Sequence, residues 1–103
     1  MNHYGLPITI DDERVRRFCH SHGIRKLALF GSVLRDDFDP RHSDVDVLAE
    51  FHPGALQGVG WDYFLFADEL TTILDHKVDF CSDLHPRLRE RIQSEARVIY
   101  EQT

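Results

Sequence analysis

Leu27-Ala28-Leu29-Phe30-Gly31-Ser32 and Ser43-Asp44-Val45-Asp46-Val47-Leu48 decide how this chain is read. The first stretch is apolar, too brief for a helix and bounded by Gly23 and Gly31, so Ile24 to Phe30 reads as a strand ending at Gly31-Ser32. The second is rich in β-branched residues and reads as a strand from Asp44 to Phe51. Alternation along that strand places Asp44 and Asp46 on one face, about 6.5 to 7 Å apart at the backbone, where their carboxylates can converge on one metal ion. The polar segment Arg35-Asp36-Asp37-Phe38-Asp39-Pro40-Arg41-His42-Ser43 joins the two strands.

Upstream, Thr9-Ile10-Asp11-Asp12 has the form of a capping box. Val15, Phe18 and Cys19 then recur on one stripe of a helix ending near His22-Gly23. Downstream, His52 to Gly60 is a loop with one proline and three glycines. Tyr63, Phe66, Ala67, Leu70, Ile73 and Leu74 follow at helical spacing. Lys77 to Cys81 is a third strand, Pro86 opens a helix carrying Leu88 and Ile92, and Val98-Ile99-Tyr100 forms a last short strand. The expectation is one α/β (α+β) domain spanning residues 1–103, a small mixed sheet flanked by helices.

The 103 residues include 18 acidic and 12 basic side chains, a formal net charge of −6, which disfavours extended nucleic-acid binding through neutralisation of many phosphates. No stretch of eighteen apolar residues occurs, and Met1 to Pro7 lacks both a basic and an apolar signal region. A cytoplasmic protein without a membrane role is therefore expected. Cys19 and Cys81 do not form a Cys-x-x-Cys unit and are expected to be reduced, in or near the core. His20 and His22, an i, i+2 pair on a helix, do not face a common ligand and suit solvated or C-capping roles; His42 lies closer to the candidate chemistry.

Paired carboxylates suit magnesium, which prefers oxygen ligands. Two such ions about 3.5 to 4 Å apart can hold the attacking and leaving oxygens of a phosphoryl displacement. A glycine at the end of an apolar strand lets a triphosphate approach the backbone, and Ser32 adds a hydroxyl and an N–H. Asp79, between Val78 and Phe80, is a third carboxylate whose burial needs a partner or a metal. Each feature has a plain structural alternative: a solvated strand entry for Asp44 and Asp46, an ordinary strand-to-turn junction for Gly31-Ser32, and an ion pair with Lys77 for Asp79.

Taken in order, Phe30-Gly31-Ser32, then Arg35, then Ser43-Asp44-Val45-Asp46-Val47-Leu48 and Val78-Asp79 resemble the minimal nucleotidyltransferase (MNT) family of the DNA polymerase β superfamily. The tail from His85 to Ile92 and Val98-Ile99-Tyr100 resembles the carboxyl end of these proteins. The resemblance implies a polymerase β-like core in which Gly31, Ser32, Arg35 and Ser43 bind the nucleotide. It further implies that Asp44 and Asp46 bind magnesium (Mg2+), and that Asp79 helps bind metal and activate the acceptor hydroxyl. Two departures stand out. Asp36 occupies a usual glycine position, and Val33 to Ser43 is one residue longer than the usual spacer, the extra residue being expected in the Asp39-Pro40-Arg41-His42 loop.

The resemblance also implies partners: ATP, and a HEPN-domain ribonuclease toxin that the chain neutralises as its antitoxin, in a hetero-oligomer, by transferring AMP to a hydroxyl, a tyrosine's in some members. Inhibition by binding alone, or nucleotidyl transfer to a small molecule, are the alternatives.

Overall fold

The first helix begins later than a capping box at Thr9 predicts. The computed structural model describes residues 5–35, 38, 39, 41–55, 63–81, 90 and 94–102, with backbone only at 63 and 64. In it α1 spans Asp12–His22 and is capped by Asp11, whose Oδ1 accepts from the N–H groups of Glu13 and Arg14 at 3.1 and 3.3 Å. The aspartate satisfies two orphan donors and sets negative charge at the positive end of the helix, so the cap passes from Thr9 to Asp11. Ile10, just before the cap, packs against the core, as a hydrophobic staple does. Gly23 ends the helix in the left-handed region, φ +69°, with its N–H on the Cys19 carbonyl. Val15, Phe18 and Cys19 are the buried stripe that the spacing predicts.

The strands are β1 (Ile24–Phe30), β2 (Val45–Phe51), β3 (Val78–Cys81) and β4 (Arg97–Glu101), with α2 (Tyr63–Leu74) between β2 and β3. Their order in the sheet is β3-β2-β1-β4. β1 is antiparallel to both β2 and β4, whereas β2 and β3 are parallel because α2 returns the chain to the same end of the sheet. The sheet is therefore mixed, as expected. β2 and β3 each start one residue later than predicted, at Val45 and Val78, which leaves Asp44 in the approach to the sheet.

One face of the sheet holds Leu27, Leu29, Val45, Val47, Ala49, Val78 and Ile99, and these pack with α1 and with Phe66, Leu70, Ile73 and Leu74 of α2 in one core. Full burial of each large aliphatic side chain contributes about 1.5 to 3 kcal/mol before entropy is counted. Asp46 alternates with Val45 and Val47, so it lies on the opposite face, away from the helices.

His22 is neither solvated nor a simple C-cap. Its Nε2 lies 2.8 Å from Glu69 Oε2, and its ring packs on Phe18 and Phe66 with centroids 4.9 and 4.2 Å away, tying α1 to α2. Cys19 is free and fully buried, its thiol pushed up to about 12 by burial; Cys81 is also free. The helix predicted from Pro86, with Leu88 and Ile92, and the loop glycines 58 and 60 lie outside the described residues. No helix among the described residues is long and apolar enough to cross a membrane.

Candidate active site

The backbone turns at the end of β1, where Phe30 pairs with Asp46 across the sheet. Gly31 follows with φ +77° and opens a single 3₁₀ turn, Gly31–Leu34, anchored by buried Val33 and closed by the Arg35 N–H on the Ser32 carbonyl at 2.9 Å. The left-handed conformation alone favours glycine. A second constraint is independent of it: a Cβ at Gly31 would collide with Asp46 Oδ2 and lie 3.2 Å from its Cγ. The bare Cα is therefore what lets the Asp46 carboxylate lie against the turn.

Asp79 stands directly opposite Asp46 in the parallel register of β2 and β3. Partial burial, then the charges of Asp79 and Asp44, and a hydrogen bond with Asp79 hold the Asp46 carboxyl above its ordinary value, with Arg35 opposing weakly. The desolvated carboxylate is thus Asp46. Asp79, which its apolar neighbours in the sequence suggest is buried, is exposed because β3 is an edge strand and Asp79 points to the face away from the core. Among the described residues no basic side chain is ion-paired with Asp79; Lys77, the alternative partner, is not.

The donor set is all carboxylate oxygen, and its members' charges act on one another, so a hard divalent cation such as magnesium fits it chemically. Among the described residues no three acidic, histidine or cysteine side chains close into a cage. Asp46 and Asp79 form the close pair, while Asp44, before β2, reaches Asp46 through its charge.

Ser43 ends a closed turn. Asp39 accepts at its carbonyl from the N–H groups of His42 and Ser43 at 3.1 and 2.8 Å, and its Oδ1 accepts from Arg41 N–H at 2.9 Å. The Ser43 hydroxyl accepts from the Asp39 N–H at 3.2 Å. His42 is exposed and pairs with Asp39, Nδ1 to Oδ2 at 2.8 Å, rather than facing the carboxylates. Sequence reasoning passed over His76. Its Nε2 lies 2.6 Å from the Ser43 carbonyl, a contact between residues 33 positions apart that no local spacing announces.

The sequence profile of the nucleotidyltransferase domain family matches residues 12–101. A solved minimal nucleotidyltransferase is 34% identical to this chain, over 82% of it and 85% of that protein, with a TM-score of 0.66. A toxin–antitoxin crystal structure with AMP-PNP superimposes with a TM-score of 0.68 at 16% identity, over 91% of this chain and 76% of that one. A variant of the MntA–HpeT toxin–antitoxin pair gives 0.63 at 13% identity, over 91% and 75%. At these low identities the last two show a shared fold. No curated protein sequence matches. The match over almost the whole chain and the solved relative at 34% identity show that this chain belongs to the nucleotidyltransferase domain family.

Proposed function

We propose that the chain is an antitoxin that transfers AMP from magnesium-bound ATP to a hydroxyl, a tyrosine's, on a HEPN-domain ribonuclease toxin. The carrying observation is the apposition of the side-chain-free Gly31 turn, Asp46 and Asp79 at one end of the sheet. Family membership supports nucleotidyl transfer, and the shared fold with toxin–antitoxin proteins, one of them with AMP-PNP, supports the partner and the nucleotide.

In this reading the Gly31 and Ser32 backbone and the Ser32 hydroxyl hold phosphate oxygens, the Ser43 hydroxyl donates to the nucleotide, and Arg35 adds a charge-assisted contact. Asp44, Asp46 and Asp79 would hold magnesium, which when bound would neutralise charge on the triphosphate. Asp79, exposed on the edge strand, accepts the proton of the incoming hydroxyl. The hydroxyl oxygen forms a bond to the α-phosphorus, the bond from that phosphorus to the β-phosphate bridge breaks, and pyrophosphate leaves.

The alternative is silencing of the toxin by occlusion. Intact-mass analysis of a HEPN partner after incubation with the chain and magnesium-ATP separates the two. AMP-sized additions are expected with wild type and none with Asp79→Asn, while the variant still associates. If the partner gains no mass and Asp79→Asn neutralises as well as wild type, occlusion is the correct account.

A further inference from the structure

His76 has no part in the reading above, yet it joins the two segments that carry the carboxylates. α2 ends in a Schellman turn: Asp75 adopts the left-handed region, φ +52°, and the His76 N–H bonds the Thr71 carbonyl at 3.2 Å. That turn aims the imidazole at the start of β2. Its Nε2 is 2.6 Å from the Ser43 carbonyl, and because a carbonyl only accepts, Nε2 carries the proton and donates. The ring also lies against Phe38, with centroids 5.2 Å apart.

The hydrogen bonds around it show what this contact adds. The Val45 N–H bonds the Lys77 carbonyl at 2.9 Å at the start of the β2–β3 pairing, and the Val78 N–H bonds Thr71 Oγ1 at 3.2 Å. Ser43 lies before β2, so its carbonyl is tied to the β3 side by a side chain instead of a strand. Just inside this point, Asp46 faces Asp79 on a four-residue edge strand, and the two carboxylates repel when both are ionised.

We infer that His76 is a positioning residue, a clamp from the β3 side onto Ser43 that holds β3 in register against carboxylate repulsion and so keeps Asp79 opposite Asp46. This rests on the nucleotidyl-transfer reading for its consequence but not for the clamp itself. His76→Phe keeps a ring against Phe38 and removes the donor, while His76→Gln keeps a donor of similar reach.

The test measures hydrogen exchange of the metal-free full chain and, separately, the magnesium concentration giving half of the ATP-dependent rise in melting temperature. In His76→Phe the amides of residues 79–81 should exchange about fivefold faster, the change that one net hydrogen bond represents, with β1 and β4 unchanged. Half-saturating magnesium should rise by about the same factor. His76→Gln should restore both, and in an Asp79→Asn background the His76 effect on magnesium should vanish, as coupling through Asp79 requires. Unchanged β3 exchange in His76→Phe overturns the clamp. Faster exchange with unchanged magnesium dependence, or a magnesium effect that persists without Asp79, overturns the positioning role. If wild type shows no magnesium-dependent response to ATP while β3 loosens in the variant, the nucleotide reading fails and His76 is a structural contact only.

Discussion

Gly31 and Asp46 occupy space that neither could share with a side chain at position 31, and this makes the pair sensitive to single atoms. Gly31→Ala adds a methyl group in the left-handed region and against the Asp46 carboxylate, so it should destabilise the fold by about 1 to 2 kcal/mol from the backbone alone. Urea denaturation reads the loss, and unchanged stability would mean that the turn tolerates a side chain. Asp46 carries a second expectation. Its carboxyl is held above the ordinary value of 3.8 by burial and by Asp79 and Asp44. A raised carboxyl favours folding fully below the unfolded value, and that contribution is lost as pH rises through the folded value. At neutral pH the metal-free protein therefore carries this charge at a cost. Asp46→Asn should raise the metal-free melting temperature, by an amount that solvent screening of this partly exposed carboxyl keeps small. The gap from wild type should narrow as pH falls toward 3.8. A lower melting temperature at pH 7 would show instead that Asp46 makes a structural hydrogen bond. At this scale the Asp-x-Asp spacing singled out Asp44 and Asp46, but only Asp46 lies within β2; Asp44 precedes the strand and acts on Asp46 through its charge. The exposure of Asp79 was not legible, because it depends on β3 lying at the sheet's edge.

At the scale of elements, the ends differ most from expectation. Apolar spacing alone locates the buried stripes of α1 and α2 and the strand Ile24–Phe30, because periodicity reports which face needs burial. Caps are competitions between neighbouring side chains, and Asp11 outcompetes Thr9 by reaching two amides at once. The C-terminus of α2 sets a non-glycine residue, Asp75, in a position that glycine fills without strain. Asp75→Gly should accordingly stabilise the protein by about 0.5 to 1 kcal/mol, the left-handed strain exceeding the added freedom of the unfolded chain. Thermal or urea unfolding measures it, and a loss of stability would show that the Asp75 side chain does more than occupy the turn.

Across the whole molecule the formal net charge is −6, so under the proposed reading affinity for a triphosphate would come from a bound metal and the local turn rather than the general field. ATP with magnesium should raise the melting temperature, and at a hundred times its dissociation constant the gain is about 2.7 kcal/mol. ATP without divalent metal should give much less, and equal shifts in the two conditions would argue against a carboxylate-held metal.

The sequence by itself determines the fold class and the local features from which the candidate site is read. Strand and helix periods, the glycine after Phe30 and the Asp-x-Asp spacing are local properties, set by geometry that repeats every two or 3.6 residues. Only the tertiary structure decides which strand neighbours which, and hence that Asp79 faces Asp46 and that a Gly31 side chain would strike that carboxylate. It also decides that His22 joins Glu69 and that His76 holds the Ser43 carbonyl. These are contacts between residues 15 to 47 positions apart. No local period encodes them; they follow from the packing of α2 and the parallel return of β3.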